Sequence, residues 1–232
     1  MGVKLTIVEG DCLQVLPEIP DESVDLVFAD YPFNCQDGRK DYLQFVKETA
    51  EEFYRVLKVN CALIVINNPS NIFKTIKFYS RFVFRGSIAL IRKGALRPAW
   101  HFGFQHNYCV IFLKPDESGK ADVRMKWNGT KQNHDKTFMT DVVHYQNGFR
   151  KGKHWHPQAV PLGLTKKLVE IFSDKEDLVL DPFLGSGTTM KASLELDRNC
   201  FGIELKPKYA EMARSRVDGG QKDLIIEGRL TR

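Results

Sequence analysis

Compact apolar runs alternate along this chain with stretches whose apolar residues recur at helical spacing. Short runs rich in Val, Ile, Leu and Phe predict buried strands at residues 3–11, 24–30, 61–67, 177–181 and 200–204. Helical patterns cover residues 41–58, 70–80, 161–173, 186–197 and 206–217. This alternation predicts an α/β fold with a doubly wound, mostly parallel sheet, because helical crossovers cover both faces of such a sheet.

The middle of the chain breaks the alternation. Residues 81–91 and 106–114 are apolar runs on either side of a long loop, and we expect them to pair as an antiparallel edge of the sheet. The segment 115–155 is polar, basic and weakly periodic, which predicts a small basic insertion in the fold.

Composition sets the broad class of protein. The 232 residues are 43% apolar and 27% charged, as in a globular protein with one buried core. No apolar run reaches the roughly 18–20 residues of a membrane span, and the N-terminus lacks the layout of a signal peptide, so we expect a cytoplasmic protein without a membrane partner. The five cysteines include no CxxC pair, which argues against disulfides and a structural zinc site.

Positive charge is concentrated in the central region. The net charge is only +5, but residues 120–167 hold ten Lys and Arg against three Asp and Glu. Aromatic residues lie among these charges at 126–131 and 149–156. This mixture suits a nucleic acid, a polyanion whose bases can stack, and a solvated basic loop is the alternative.

Acidic residues end several of the predicted strands. Asp11 and Asp30 end the first two, and the run DPFLGSGTT (181–189) begins at the end of a later one. Ligands of open parallel sheets bind beyond the carboxyl ends of the strands, which makes these positions the candidate site. The stretch DYPFN (30–34) has a second interpretation, because Asp, Asn and Pro also form ordinary turns.

The glycine-rich run predicts a ligand-binding turn between a strand and a helix. Gly185 and Gly187 allow a tight turn that leaves backbone amides open to a ligand, and packing of small residues is the alternative. The run is not GxGxxG, because residue 190 is Met, and it is not a phosphate loop, because no Lys follows it. Glu204 ends the next strand, where an acid can accept both hydroxyls of a ribose. The pattern therefore predicts a nucleoside ligand.

Two blocks of the sequence resemble a known family. GDCLQVLPEIPDESVDLVFADYPFN (10–34) is similar to the N-terminal block of amino-group DNA methyltransferases, whose hallmark is Asp/Asn/Ser-Pro-Pro-aromatic. DPFLGSGTT followed by FGIELKPKYAEMA is similar to their S-adenosylmethionine block, and HPQAVPLGLTKKLVEIF (156–172) resembles the helix that precedes it. The catalytic block comes before the cofactor block, which is the beta-class order. The resemblance covers the chain outside roughly residues 115–150.

The resemblance implies a Rossmann-like class I methyltransferase fold, in permuted motif order, with S-adenosylmethionine as cofactor. It divides the chain into a catalytic half (1–114), a target-recognition insertion (115–155), a cofactor-binding half (156–218) and a flexible tail (219–232). It places Asp11 on the adenine of the cofactor and Glu204 on the ribose. The other cofactor residues that it implies, around the methionine moiety and at the rim of the site, are Asp181, Phe183, Gly185, Ser186, Gly187, Thr188, His156 and Gln158.

The resemblance also implies a catalytic role for the stretch that begins at Asp30. The exocyclic amine of a base is a poor nucleophile, and its two hydrogens need two acceptors, which would be the Asp30 carboxylate and the Tyr31 carbonyl. Pro32 would fix the turn, and Phe33 would stack on a base flipped out of the duplex. No metal is needed for this chemistry.

The chain departs from the family pattern at Tyr31 and at the cofactor rim, where Gln158 also stands in place of a small hydroxyl residue. Tyr31 stands where the family has a proline, and Val160 stands where it has a lysine at the cofactor rim. The Tyr31 carbonyl survives its replacement, so we expect retained function with a differently shaped loop. A degenerate, inactive relative is the competing hypothesis.

The basic loop 92–106 and the insertion are the expected DNA-contacting parts. Duplex or phosphate contacts are predicted for Arg92, Lys93, Arg97, Lys126, Lys131, Arg150, Lys151 and Lys153, and a solvated surface charge is the alternative for each. The predicted partner is double-stranded DNA, with the nucleoid as the cellular location. A homodimer and a cognate restriction endonuclease are further partners that the resemblance brings into consideration.

The leading hypothesis is a DNA methyltransferase that acts on N6 of adenine, because Asp stands first in the catalytic motif. N4 of cytosine is the first alternative, because both amines need the same two acceptors. An RNA methyltransferase follows, although the permuted order speaks against it. A non-catalytic nucleic-acid-binding relative would leave Asp30, Phe33 and the glycine run without a role, and a nucleotide-binding oxidoreductase would need the missing third glycine.

Overall fold

The computed structural model describes residues 2–32, 41–92, 97–99, 102–104, 106–121, 141–145 and 160–218. Its strands are β1 (Leu5–Glu9), β2 (Val24–Asp30), β3 (Leu57–Asn67), β4 (Val83–Arg92), β5 (Arg97–Ala99), β6 (Phe102–Phe104), β7 (His106–Leu113), β8 (Val142–Tyr145), β9 (Leu178–Asp181) and β10 (Asn199–Glu204). Its α-helices are α1 (Cys12–Val15), α2 (Tyr42–Val56), α3 (Pro69–Thr75), α4 (Leu162–Phe172), α5 (Thr188–Glu195) and α6 (Pro207–Val217), and 3₁₀ segments cover Leu16–Glu18 and Ile76–Tyr79.

Eight of the strands form one sheet in the order β1-β10-β9-β2-β3-β7-β4-β8, and β5 pairs with β6 separately. The pairs from β1 to β3 are parallel, and β7 is antiparallel to both β3 and β4. The predicted mostly parallel sheet is confirmed. The predicted pairing of 81–91 with 106–114 is also confirmed, since Val83 lies opposite Leu113 and Ile91 opposite His106.

The sequence pattern did not predict β8, which lies within the expected insertion 115–155. This strand adds to the edge of β4 in parallel, with Ala89 opposite Val142 and Arg92 opposite Tyr145. Its four residues, VVHY, alternate between exposed and half-buried positions. A strand this short, at a half-solvated edge, produces too weak a periodicity to detect.

The connections reverse direction between β9 and β2, which are neighbours in the sheet. From β9 the chain continues to β10, which lies on the side of β9 that faces β1. From β2 it continues to β3, which lies on the opposite side. In an open α/β sheet such a reversal leaves a crevice beyond the carboxyl ends of the two strands, and ligands bind there. Asp30 and Asp181 end these two strands and therefore lie at the crevice.

The core occupies both faces of the sheet. On one face, Val27 and Leu63 pack with α2 residues such as Phe53. On the other face, Leu26 and Ile64 pack with α4, and a third cluster joins β1 to α5 and α6. Alternate residues of β2 thus point to opposite layers, as the period of a strand requires.

Local sequence fixes where the helices begin. The Asp41 side chain accepts hydrogen bonds from the backbone N–H groups of Leu43 and Gln44 and so caps α2. Asn68 caps α3 in the same way, and Pro69 occupies its first turn, where a missing N–H costs nothing. None of the described helices is both long and apolar enough to cross a membrane.

Candidate active site

Asp30 and Asp181 meet at the crevice between β2 and β9. Leu26 and Val27 pair with Val179 and Leu180, so both strands run towards the same edge of the sheet. The Asp30 side chain is half-buried, and burial raises its pKa well above the ordinary value. The negative charge of Asp181 raises the pKa of Asp30 further.

The Asp181 carboxylate is tied into its own loop. It is buried, and its Oδ1 accepts a hydrogen bond from the backbone N–H of Phe183 at 3.0 Å. Burial raises the pKa of Asp181 to about 7, and hydrogen bonds from Thr189 and from the Phe183 backbone oppose that rise. Asp181 therefore shapes the turn that follows β9.

The Asp30 carboxylate differs because no described residue donates a hydrogen bond to it. The same holds for the Tyr31 carbonyl, which accepts none within the described part of the chain. Buried or half-buried acceptors normally have donors. Two adjacent acceptors without a donor among the described residues therefore lie beside the crevice.

The Tyr31 side chain lies inside the protein. Its ring is 1% exposed, and its hydroxyl lies 2.6 Å from Thr49 Oγ1. Thr49 donates to the Phe45 carbonyl of α2, and the Tyr79 hydroxyl donates to Tyr31 at 3.1 Å. The order of donation is therefore Tyr79 to Tyr31 to Thr49 to the helix backbone, so that each hydroxyl acts as donor and as acceptor.

The Tyr31 backbone also continues the strand pairing. Its N–H donates to the Ile66 carbonyl of β3 at 3.1 Å, a bond that proline could not make. Tyr31 is thus held by a backbone hydrogen bond and by its buried phenol. A proline at this position would instead be held by the rigidity of its ring.

An aromatic cluster connects the two strand ends. The Tyr31 and Phe183 rings lie 4.7 Å apart between centroids, and Phe45 and Phe53 each contact both of them. Phe183 belongs to the glycine-rich run and Tyr31 to the predicted catalytic stretch. The two strand ends therefore share one packed cluster of aromatic rings.

The glycine-rich run turns as its sequence predicts. Gly185 and Gly187 have φ of 54° and 78°, the left-handed region that favours glycine. A Cβ on Gly187 would lie 2.7 Å from Ala213 Cβ, so only glycine lets α6 approach this closely. Gly187 is the N-cap of α5.

Glu204 is close to this loop. Its Oε2 accepts from the Gly185 N–H at 2.7 Å and its Oε1 accepts from the Lys206 N–H at 2.8 Å. Burial is the main reason that the pKa of Glu204 is raised. Each carboxylate oxygen has a further lone pair, so ribose hydroxyls could still donate to Glu204.

Asp11 lies beside Glu204 at the end of the adjacent strand. Glu9 pairs with Glu204, and the Gly10 N–H donates to the Glu204 carbonyl at 3.0 Å. Asp11 caps α1 by accepting from the Leu13 N–H at 3.0 Å. The structure thus brings Asp11, Glu204 and the glycine loop to one edge of the sheet.

The sequence did not identify Arg216 as a site residue. Its guanidinium donates to Thr188 Oγ1 at 2.7 Å and lies 3.4 Å from Ser186 Oγ. The only signal in the sequence was helical spacing, because Arg216 follows Ala213 by three positions and therefore lies on the face of α6 that packs on Gly187.

Val160, which replaces the family's lysine, is 8% exposed and packs with Leu164 and Leu90 in the core. A lysine ammonium at a position this buried would lose solvation. Within the described residues, no group of three or more His, Cys, Asp or Glu could hold a metal ion.

Several predicted site residues cannot be placed. Arg92 ends β4 and Arg97 begins β5, and only their backbones are described. Pro32 is described and half-buried. The other predicted residues lie outside the described residues: Phe33, Lys93, Lys126, Lys131, Arg150, Lys151, Lys153, His156 and Gln158.

Comparisons with known proteins agree with this geometry. Solved structures with the same fold include TTHA0409 of Thermus thermophilus in complex with S-adenosyl-L-methionine, with a TM-score of 0.72, 23% identity and 97% of each chain covered. The PvuII DNA methyltransferase, which is cytosine-N4-specific, has a TM-score of 0.75 and 18% identity, with 96% of this chain and 90% of that one covered. The fold is therefore that of the class I methyltransferases.

The family follows from the sequence comparison. The family model N6_N4_Mtase, DNA methylase, matches residues 24–215, and the chain belongs to this family. The DNA adenine methyltransferase YhdJ of Escherichia coli K12 is 27% identical, with 92% of this chain and 82% of that protein covered. The type II methyltransferase M.HpaI of Haemophilus parainfluenzae is also 27% identical, with 90% and 73% covered. The predicted family and fold class are confirmed.

Proposed function

We propose that this protein transfers a methyl group from S-adenosylmethionine to the exocyclic amine of a DNA base, with N6 of adenine as the favoured target. The observation that carries the proposal is a pair of acceptors to which no described residue donates, the Asp30 carboxylate and the Tyr31 carbonyl. Membership in the DNA methylase family supports the reaction class.

The residues present fit the cofactor. Glu204 and Asp11 supply carboxylates at neighbouring strand ends, and the positive φ angles at Gly185 and Gly187 let the loop turn back on itself beside them. When bound, S-adenosylmethionine supplies a methyl group activated by the sulfonium charge. The residues that would hold it are Asp11, Glu204, Asp181 and the glycine loop, with the rim residues His156 and Gln158 as further predictions.

Asp30 would act on the amine. Its carboxylate and the Tyr31 carbonyl each accept one amino hydrogen, which localises the nitrogen lone pair and directs it at the methyl carbon. As the N–C bond forms and the C–S bond breaks, the amine becomes positively charged, and one of its protons passes to the Asp30 carboxylate. The raised pKa of Asp30 makes this carboxylate a stronger proton acceptor than an ordinary one.

The base must leave the duplex to reach this pocket. We propose that Phe33 stacks on the flipped base and that the basic residues of 92–106 and 115–155 contact the phosphates. A homodimer and a cognate restriction endonuclease remain predictions of the sequence alone.

The target base is adenine in this proposal, and cytosine is the alternative. YhdJ is named an adenine methyltransferase, and the PvuII enzyme, named for N4 of cytosine, shares the fold. Asp in the first motif position and the sequence relative both favour adenine.

Incubation with S-adenosylmethionine labelled at the methyl group tests the proposal. Unmethylated double-stranded DNA and unmethylated RNA would be offered in parallel, and the products digested and analysed by nucleoside mass spectrometry. We expect labelled N6-methyladenine in DNA. Labelled N4-methylcytosine would support the alternative target, label in RNA would support an RNA methyltransferase, and cofactor binding without any label would indicate a non-catalytic binding protein.

A further inference from the structure

Arg216 joins α6 to the glycine loop through hydroxyl groups. Its guanidinium donates to Thr188 Oγ1 at 2.7 Å and lies 3.4 Å from Ser186 Oγ. Ala213, one turn earlier on the same face of α6, lies so close to Gly187 that a Cβ there would overlap it. This packing holds the Arg216 side chain directly over the loop.

The charge of Arg216 has no counterion in the described part of the protein. No described carboxylate pairs with it, and partial burial lowers its pKa from the ordinary value. Arg214, two residues earlier, differs because it pairs with Glu9 at 2.5 Å. An arginine that gives up solvation without a carboxylate partner suits an anion that arrives with a ligand.

The Arg216 guanidinium also determines whether the Ser186 and Thr188 hydroxyls act as donors or acceptors. Arginine has only donors, so Thr188 Oγ1 must accept from it, as Ser186 Oγ does through the longer contact. Each hydroxyl then retains one hydrogen that it can donate elsewhere. Both residues therefore keep a hydroxyl hydrogen that they could donate to a bound ligand.

The α-carboxylate is the anionic group of S-adenosylmethionine. We propose that Arg216 is a positioning residue that fixes the Ser186 and Thr188 hydroxyls as donors to this carboxylate and so makes the site selective for ligands that carry it. The inference rests on the proposed function, because it assumes S-adenosylmethionine in the cleft. Arg216 acts through the two hydroxyls and through its field, without contact with the reacting atoms.

Ligand discrimination tests this role. The dissociation constants of S-adenosylmethionine and of decarboxylated S-adenosylmethionine, which lacks only the carboxylate, would be measured by titration calorimetry for each variant. Hydrogen bonds to a charged group are stronger than neutral ones, so we expect the wild type to prefer the carboxylated ligand by about tenfold or more. In Arg216→Met that preference should fall to within about threefold of unity.

Matched variants separate this role from simple support of the loop. Arg214→Met removes the same charge from the same helix and should leave the preference at its wild-type value. Arg216→Lys keeps the charge and donors and should restore part of the preference. Thr188→Val removes a hydroxyl while Arg216 stays in place, and it should reduce the preference even if Arg216→Met does not fold.

The outcomes are distinguishable. If Arg216→Met and Thr188→Val weaken the binding of both ligands equally and leave the preference unchanged, Arg216 only supports the fold. A wild type that binds both ligands equally would also overturn the inference. A wild type that binds neither ligand would contradict the proposed function itself.

Discussion

The ends of β2 and β9 lie side by side in the sheet and are held in opposite ways. At β9, polar contacts fix the turn, because Asp181 and Glu204 accept from the backbone N–H groups of Phe183 and Gly185. At β2, the Asp30 carboxylate and the Tyr31 carbonyl accept nothing in the described part of the chain, and the buried Tyr31 side chain provides the anchor.

We propose that this difference reflects two roles, holding the cofactor at the β9 end and reacting with the amine at the β2 end. A cofactor loop gains from polar groups that are already ordered, because the ligand then meets a preformed site. A catalytic acceptor must stay unpaired until the substrate arrives, so its backbone needs an anchor that does not use its oxygen atoms. Tyr31 provides that anchor through its buried ring, which packs on Phe183 and on Phe45 of α2.

The largest stability effect is expected from returning Tyr31 to the family's residue. Tyr31→Pro removes a buried ring and the N–H bond to Ile66, and loss of a buried aromatic side chain costs about 3–5 kcal/mol. Tyr31→Phe keeps the ring and loses only the hydroxyl contacts, for about 1–2 kcal/mol. Urea denaturation measures both. A proline variant as stable as the wild type would mean that the β2 end is not held by the buried phenol.

At the β9 end, we expect substitution of Gly187 to lower the free energy of unfolding the most. Gly187→Ala places a Cβ 2.7 Å from Ala213 in a left-handed conformation, and we expect a loss of about 2–4 kcal/mol together with weaker cofactor binding. Gly163→Ala is the matched control, because Gly163 lies in α4 with no atom within 4 Å of an added Cβ. That change should be neutral or stabilising by about 0.4–1 kcal/mol. Equal effects of the two substitutions on urea denaturation would contradict the packing described for α6.

Asp30 is expected to make stability depend on pH, although no described residue donates a hydrogen bond to its carboxylate. The folded-state pKa of Asp30 is raised above 3.8, so ionisation costs the folded state more than the unfolded state. The wild type therefore loses stability relative to Asp30→Asn as the pH rises from about 4 through the raised pKa, and the gap is constant above it.

Asp116 serves as the control for this titration. The hydrogen bond from Ser118 lowers the pKa of Asp116, so its carboxylate stabilises the fold above its ordinary pKa and loses that effect as the pH falls. Asp116→Asn should therefore be less stable than the wild type at neutral pH, the opposite sign to Asp30→Asn. Thermal unfolding between about pH 2 and pH 8 would show both trends, because Asp116 titrates below its ordinary value of 3.8 and Asp30 titrates above it. A gap for Asp30→Asn that shrinks with rising pH would contradict the assignment.

Acids at strand ends made much of the site predictable from the sequence. Asp11, Asp30, Asp181 and Glu204 each ended a predicted strand, and parallel strands necessarily bring such residues to one edge. The left-handed turns at Gly185 and Gly187 followed from residue type, because other side chains rarely adopt them.

Contacts between distant segments were not predictable in the same way. The direction of the Tyr31 side chain depends on Thr49 and Tyr79, which lie 18 and 48 residues away. Arg216 reaches Thr188 across 28 residues because α6 packs on Gly187. Neither contact has a local signature, since each depends on how helices are placed over the sheet.

Single-turnover methyl transfer by Asp30→Asn tests the central claim most directly. Asparagine keeps the size of aspartate and one acceptor oxygen but cannot take up the proton, and loss of an acid–base group costs about 10²–10⁴-fold in rate. We expect the Asp30→Asn rate at saturating cofactor to be at least about 100-fold below that of the wild type. The S-adenosylmethionine dissociation constant should stay within about threefold of the wild-type value. A variant that binds the cofactor and methylates DNA at the wild-type rate would contradict the claim that Asp30 is the acceptor for the amine.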